Sequence, residues 1–280
     1  MPSLKRFLRS FWQLLRFEHG IMYGIGVAIG IFLGDGTSLE LFILGFLTAI
    51  FFQASTFAMN DYIDYEADFA NKRFDRPLVR GEISKKTALI LSILFFPLGC
   101  MASLMISLQA FLFAFTISIL GHFYNYKLKE LGFLGNVYVA FTMSAPFIFG
   151  GIISRLTYHV LILSSIAFFC GLGREIMKGI EDIRGDAIRN VKTIARLYGA
   201  EFAAKMSSIF FLIAIILSLF PPILTSEFFD LKYIVPVLVT NLILLRVIQS
   251  LRKSKDIAKF RKLTLVAILF GLLGFLGGAF

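Results

Sequence analysis

Apolar runs of about 20 residues, each long enough to cross a bilayer as an α-helix, recur along the whole chain, separated by short polar and basic stretches. We place such helices at 18–34, 39–63, 86–105, 108–126, 132–153, 157–178, 202–223, 232–250 and 262–280, about nine spans in all. The short alternating segments of a membrane β-barrel are absent from the pattern. Ahead of the first span, Leu4, Phe7, Leu8, Phe11, Trp12 and Leu15 share one helical face, with Lys5, Arg6 and Arg9 off it. That stripe predicts a short helix lying in the membrane interface. Met1–Phe17 lacks an uninterrupted apolar core, so no cleavable signal peptide is expected. The chain reads as an all-α, polytopic membrane protein.

Polar residues intrude at the end of two of these runs, and the two intrusions are alike. Asn60-Asp61-Tyr62-Ile63-Asp64-Tyr65-Glu66-Ala67-Asp68 ends the second predicted helix, and Glu181-Asp182-Ile183-Arg184-Gly185-Asp186 ends the sixth. Asp64 and Asp68 recur as Asp182 and Asp186 at one offset of 118 residues (182 − 64 and 186 − 68), and Gly81 recurs as Gly199 at the same offset. An even number of crossings separates the clusters, so both emerge on one side of the membrane. That is the parity of a parallel internal repeat, two four-helix bundles related about the membrane normal. One membrane-embedded unit is expected over 1–280, with a first bundle at about 18–126, a second at about 132–250 and a last helix at about 262–280.

Charge supplies the expected orientation. With the N-terminus in the cytoplasm, all but Arg155 and Lys232 of the 28 Lys and Arg residues fall on the cytoplasmic side. The positive-inside rule then predicts N-in and C-out, a multi-pass protein of the cell membrane with both acidic clusters facing the cytoplasm. The net charge of +10 is accounted for by topology and calls for no nucleic-acid partner. Charged residues make up 16% of the chain, against about 25% in soluble domains, and the mean hydropathy is +0.80. Cys100 and Cys170 lie inside apolar spans, and His19, His122 and His159 are scattered, which leaves no zinc or disulfide pattern.

The clusters carry the candidate chemistry. Asp61, Asp64 and Asp68 stand at i, i+3 and i+7, within about 60° of arc on a helix. Asp182 and Asp186, at i and i+4, are expected to share a face in the same way. Carboxylates stacked at a membrane boundary are costly unless they pair or hold a cation. Mg²⁺ suits such a site, because it takes few carboxylates and fills its shell with water and substrate phosphate. Basic side chains follow each cluster: Lys72, Arg73, Arg76 and Arg80 after the first, Arg189, Lys192 and Arg196 after the second. Guanidinium forks pair with phosphate oxygens. Acid for a metal and base for phosphate describe a receptor for a phosphorylated ligand whose remainder lies between apolar helices. The bland alternative, solvated caps and interfacial ion pairs, explains one Asp-x-x-x-Asp far more readily than two at a matched offset on one side.

At these residues the chain resembles the UbiA superfamily of intramembrane prenyltransferases. The family's Asn-Asp-x-x-Asp-x-x-x-Asp is matched by Asn60 to Asp68, its Arg-Pro segment by Asp75-Arg76-Pro77, and its second Asp-x-x-x-Asp by Asp182 and Asp186. Its intervening Tyr/Lys element is similar to Tyr124-Asn125-Tyr126-Lys127-Leu128-Lys129. The resemblance implies an isoprenyl diphosphate donor bound through Mg²⁺, ionisation of the allylic C–O bond, and capture of the carbon by an acceptor. It implies metal ligation by Asp61, Asp64, Asp68, Asp182 and Asp186. It also implies substrate binding by Asn60, Arg16, Arg73, Arg76, Tyr124, Lys127, Lys129, Arg174 and Lys178.

The stretch Gly173 to Asp186, followed by Lys192-Thr193, resembles the archaeal branch, where the common reaction moves a geranylgeranyl group onto geranylgeranylglyceryl phosphate for ether lipids. A lipid phosphate acceptor would use extra cations, and Arg174 and Lys178 stand at i and i+4 before Asp182. Their other reading is neutralisation of Glu175 and Glu181. Arg16-Phe17-Glu18-His19 departs from the Arg-x-x-Asn of many relatives, and its Glu-His variant also occurs in relatives that prenylate aromatic acids. An aromatic acceptor such as 4-hydroxybenzoate therefore stays open beside the lipid phosphate. A transporter is a more distant alternative, since it would hold substrate near the midplane and none of the predicted spans has an acidic residue near its middle. Glu18 and Glu175 are the candidate bases for the acceptor proton.

Overall fold

The computed structural model describes residues 4–126, 131–183, 191–253 and 256–279. Among them there are helices and turns and no strand. In chain order the helices are α1 (Leu4–Leu15), α2 (Phe17–Leu33), α3 (Leu39–Ala70), α4 (Lys85–Ile106), α5 (Leu108–Tyr126), α6 (Phe133–Ile153), α7 (Tyr158–Glu181), the short α8 (Ile194–Tyr198), α9 (Ala200–Leu217), the short α10 (Phe220–Leu224), α11 (Leu231–Arg252) and α12 (Ile257–Ala279). Eight segments of the described residues are long and apolar enough to cross a membrane, and α1 with α2, bent by 51°, makes a ninth.

The expected spans recur, with shifted ends that matter for the site. α3 runs on to Ala70 rather than stopping at 63, so the whole first acidic motif is helical. Acidic side chains facing partners do not interrupt the backbone ladder, whereas hydropathy alone ends the span at the first of them. α7 ends at Glu181, which makes Asp182 its C-cap, with its N–H donating to the Lys178 carbonyl at 3.1 Å. Asp182 therefore sits just past the last residue of α7, and its expected face-sharing partner Asp186 lies outside the described residues. Gly179, three residues earlier, weakens helix there. The seventh span breaks after Leu217, and Pro221 and Pro222 open the short α10, where a missing N–H is harmless. The last helix starts at Ile257, earlier than expected, and takes in Lys259, Arg261 and Lys262.

α1 is amphipathic and joins α2 through Arg16, a non-glycine residue in the left-handed region (φ 47°, ψ 51°). The amide of Gln53 on α3 holds that break by donating to the carbonyls of Leu15 (3.2 Å) and Arg16 (3.3 Å). α2, α3, α4 and α5 pack on one another, as do α6, α7, α9 and α11, while α12 lies on α11 and α7 and also meets α2. α2 and α6 form the seam between the two sets. A side chain at Gly30 would collide with the Phe147 carbonyl, and one at Gly150 with the Val27 carbonyl, so this seam is backbone against backbone.

The offset of 118 residues has a structural counterpart. After α3, Arg76–Arg80 form a turn closed by Arg80 N–H on the Arg76 carbonyl at 3.1 Å, and Gly81 follows at φ 71° before α4. After α7, Ile194–Tyr198 form α8, and Gly199 follows at φ 88° before α9. Leu78 and Val79 are buried in the first copy, Ile194 and Ala195 in the second. Both glycines stand in open space, so their backbone angle, which other residues rarely adopt, is what calls for glycine.

Candidate active site

α3 presents two polar networks. In the first, Asp61, almost fully buried, accepts on Oδ1 from Arg16 Nη2 at 2.8 Å and from Arg76 Nη1 at 3.1 Å. Arg76 Nε lies 3.7 Å from Asp68 Oδ2 and 3.8 Å from Asp75 Oδ2. Arg16 also stacks its guanidinium 4.1 Å over the Phe57 ring, a cation–π contact from the same helix as Asp61. Arg16 and Arg76 come from opposite sides of the motif, one from the α1–α2 break and one from the loop after α3. Asp61 brings them to one oxygen and leaves Oδ2 buried without a hydrogen-bond partner.

In the second network, Asn60 Nδ2 donates to Asp64 Oδ2 and to Asn125 Oδ1, both at 3.1 Å. Asn125 is buried and donates in turn to the Thr56 carbonyl at 3.0 Å. Beside it on α5, Tyr124 stacks on Tyr138 of α6 with ring centroids 5.2 Å apart, and the Tyr138 hydroxyl donates to the Ile117 carbonyl at 3.0 Å. Asn125 and Tyr138 are not among the site residues expected from sequence. Tyr138 carries the signal of a polar tip within a long apolar run, and Asn125 lies in the Tyr124 to Lys129 element already matched to the family.

The remaining predicted residues divide between a third group and the solvent edge. On α7, Glu175 is buried and held by Arg174 Nη1 at 2.8 Å and by Lys178 Nζ at 3.6 Å. Arg174 Nε is buried and has no hydrogen-bond partner. Arg73 faces outward in a bidentate pair with Asp75, both bonds 2.9 Å, and each group holds the other charged: Arg73 keeps the Asp75 carboxyl below the usual carboxylate range. Asp182 is exposed beside Glu181, which Arg261 of α12 anchors at 2.8 Å. Lys127, Lys129 and Asp186 lie outside the described residues.

Near these groups is a half-open apolar pocket of about 120 Å³ lined by α2, α6, α7, α9, α11 and α12, with Tyr23, Met143, Phe147, Cys170, Leu244 and Phe275 in its wall. Its polar lining is internally satisfied: Asn241 donates to Ser218 Oγ at 2.9 Å, and Thr240 donates to the Ala267 carbonyl at 3.0 Å. Tyr23 follows Arg16 by seven residues, and Arg174 follows Cys170 by four. At about 1.5 Å rise per residue, the charged groups stand one to two helical turns from the apolar wall. The arrangement can hold a polyanion at the charged groups, with its apolar part directed toward the pocket.

Among the described residues no three acidic, His or Cys side chains converge into a metal cage. The donor set nonetheless fits a divalent cation of the Mg²⁺ kind, which needs few carboxylates and completes its shell with phosphate and water. The orphaned, buried Oδ2 of Asp61 is an oxygen that such a cation would satisfy.

The profile of the UbiA prenyltransferase family matches residues 23–276, and the chain belongs to that family. It is 54% identical to the digeranylgeranylglyceryl phosphate synthase of Archaeoglobus fulgidus, over 100% of this chain and 98% of the relative. A solved structure from work on digeranylgeranylglyceryl phosphate synthase in membranes superposes with a TM-score of 0.79 at 27% identity, covering 98% of each chain. A UbiA homolog from Archaeoglobus fulgidus, bound to DMAPP and Mg²⁺, shares the fold with a TM-score of 0.70 at 21% identity, over 94% of this chain and 97% of that one.

Proposed function

We propose that this UbiA-family prenyltransferase moves a geranylgeranyl group from its diphosphate onto geranylgeranylglyceryl phosphate, the reaction named by its full-length archaeal relative. The convergence of Arg16 and Arg76 on Asp61, with Arg16 about two helical turns from the pocket wall at Tyr23, is the observation that carries the donor half of this reading. In the reaction the allylic C–O bond breaks and its electron pair leaves with the diphosphate. The glycerol hydroxyl oxygen then bonds to the freed carbon and loses its proton.

Each residue's part follows from its contacts. Arg16 and Arg76 have guanidinium N–H groups beyond those given to Asp61, and they bind phosphate oxygens. Arg73 can join them only by leaving Asp75. Asn60, fixed by Asn125, orients the Asp64 carboxylate. Mg²⁺ would be held by Asp61, Asp64 and Asp68 from one half and by Asp182 and Asp186 from the other, and supplies neutralisation of the charge that grows on the leaving diphosphate. The apolar cavity excludes water, so the acceptor rather than solvent meets the allylic carbon. Arg174 and Lys178, one and two turns past the cavity wall on α7, bind the acceptor phosphate, with Glu175 holding them in place. Tyr124 binds substrate from the side of the first half, and Lys127 and Lys129, three and five residues further along the chain, are assigned the same role from the sequence.

The two sets of four helices act as the halves of a parallel repeat, each delivering one acidic motif to the same face. The distribution of Lys and Arg supports a cytoplasmic face for that mouth, which labelling of single cysteines in intact membranes would test.

The decisive experiment uses the purified protein in nanodiscs with Mg²⁺ and geranylgeranyl diphosphate. One tube contains geranylgeranylglyceryl phosphate and another 4-hydroxybenzoate, and products are identified by mass. Product in the first tube alone is expected. Product in the second alone would replace the acceptor and leave the donor site standing.

A further inference from the structure

We propose that Glu82 is a positioning residue for the donor site: it latches α1 onto the loop between α3 and α4, so that Arg16 and Arg76 converge on Asp61. The inference rests on the prenyl-transfer reading of that site. Glu82 touches neither Asp61 nor its arginines in any hydrogen bond or ion pair of the described residues; its effect would run through the two segments that carry them.

Both oxygens of Glu82 are engaged. Oε1 accepts from Arg6 Nε at 2.9 Å, and Oε2 accepts from Ser10 Oγ at 2.6 Å and from Arg80 Nη2 at 2.7 Å. Arg80 Nη2 also donates to Gln13 Oε1 at 2.6 Å. Arg6, Ser10 and Gln13 stand at i, i+4 and i+7, one face of α1, so the whole face is tied to two loop residues. An apolar contact backs the polar one: Leu14 and Leu15 at the end of α1 are fully buried in a cluster with Leu78 and Ile83 of the loop. The other face of α1 is left open, with Phe7, Leu8 and Trp12 each about half exposed, as a helix at the membrane interface requires.

The two latched segments are the ones that need bracing. Arg16 lies at a helix break with a left-handed backbone, and Arg76 lies in a loop that contains two positive-φ residues, Lys72 at 52° and Gly81 at 71°. Neither segment is held by a regular helix ladder, yet their guanidinium groups meet on a single oxygen. Asp61 alone would have to order both. With Glu82 closing the other side, α1, the loop and Asp61 form a closed ring of contacts, and the ordering is complete before the substrate binds. Preorganisation of this kind appears as affinity.

The test measures the dissociation constant of geranylgeranyl diphosphate with Mg²⁺ by calorimetry on the full chain in nanodiscs, alongside kcat and KM for donor and acceptor. Glu82→Gln keeps the shape and removes the charge. It is expected to weaken donor binding roughly tenfold, with kcat and the acceptor KM within about twofold of the parent. A second variant, Arg6→Ala with Ser10→Ala, breaks the latch from α1 and is expected to give the same loss, without adding to that of Glu82→Gln. Parent-like donor binding in the folded variants would overturn the latch, as would a fall in kcat with donor affinity unmoved. If the parent binds the donor, makes no product with geranylgeranylglyceryl phosphate and still loses donor affinity in the variants, the acceptor reading fails and the latch stands. A parent that does not bind the donor overturns both.

Discussion

Arg16 and Asp61, 45 residues apart in sequence, are joined by a 2.8 Å hydrogen bond that crosses from the α1–α2 break to α3. Asp61 is only 2% exposed, so its charge depends on this partner and on Arg76 at 3.1 Å. One buried carboxylate thereby serves two guanidinium groups, and removing it has a different consequence from removing either arginine.

Asp61→Ala leaves two neighbouring cations without their shared counter-charge. Breaking a buried ion pair from one side costs about 3 kcal/mol or more, so a loss of that size is expected in denaturant unfolding in mixed micelles. Arg16→Ala leaves Asp61 still paired with Arg76, and its main effect is on the ligand. Loss of one charge-assisted hydrogen bond to phosphate, about 1.5–3 kcal/mol, corresponds to a rise of roughly 10-fold to 100-fold in the donor KM. A donor KM unchanged in Arg16→Ala would remove Arg16 from the phosphate site.

Hydropathy and charge make the helices and the acidic motifs legible in the sequence. An apolar run of membrane length is satisfied by a bilayer, and carboxylates grouped at its edge call for a cation or a basic partner. Which partner each carboxylate takes is less visible. That Arg76 rather than Arg73 turns inward depends on how the loop folds back from α3, and Arg73 instead closes a two-residue bidentate pair with Asp75. Glu82 looks like an ordinary loop acid in the sequence, and Gln53 like an isolated polar residue in a span. Their roles arise from α1 folding back at Arg16, a left-handed break that no residue propensity announces at an arginine. Asp182 is recognisable as a motif residue, but its place at a helix end depends on local helix strength around Gly179.

The α2–α6 seam admits no side chain at its crossing. A Cβ added at Gly30 would stand 3.0 Å from the Gly150 Cα as well as against the Phe147 carbonyl. Gly30→Val is therefore expected to force the helices apart, with a cost of about 1–3 kcal/mol or more for overpacking. Because α2 also carries Tyr23 into the cavity wall, activity should fall together with thermal stability in detergent. A Gly30→Val protein with parent stability would mean that α2 and α6 do not meet at these glycines.

The latch at Glu82 has its own pH signature. Arg80, Ser10 and Arg6, in that order of effect, hold the Glu82 carboxyl down at about 2, from an ordinary value of 4.5. A depressed folded-state pKa stabilises the folded form fully above the unfolded value, and that contribution is lost as pH falls toward the folded one. The difference in stability between the parent and Glu82→Gln should hold steady at neutral pH and shrink as pH drops from about 5 toward about 2. Thermal melts of both proteins across that range provide the measurement, and a difference that stayed constant would show that the charge of Glu82 is not what binds α1.

Asn125 makes the last prediction, through an amide relay rather than a charge. Its Oδ1 accepts from Asn60 Nδ2 and its own Nδ2 donates to the Thr56 carbonyl, so Asn60 presents its amide to Asp64 in one orientation. Asn125→Leu keeps the approximate volume and removes both bonds. Asn60 is then free to rotate, and Asp64 loses the donor that orients Oδ2. Outer partners of a metal-binding carboxylate, the role proposed for Asp64, typically change metal affinity by about 10-fold to 100-fold, so the Mg²⁺ concentration for half-maximal turnover should rise within that range. Turnover at saturating Mg²⁺ should recover much of the parent rate, because Asp64 itself remains. Asn60→Ala should produce the same shift and make Asn125→Leu nearly silent in the double variant, since the relay is already broken. An Mg²⁺ dependence unmoved by either substitution would detach this network from the metal and leave it as a packing link between α3 and α5.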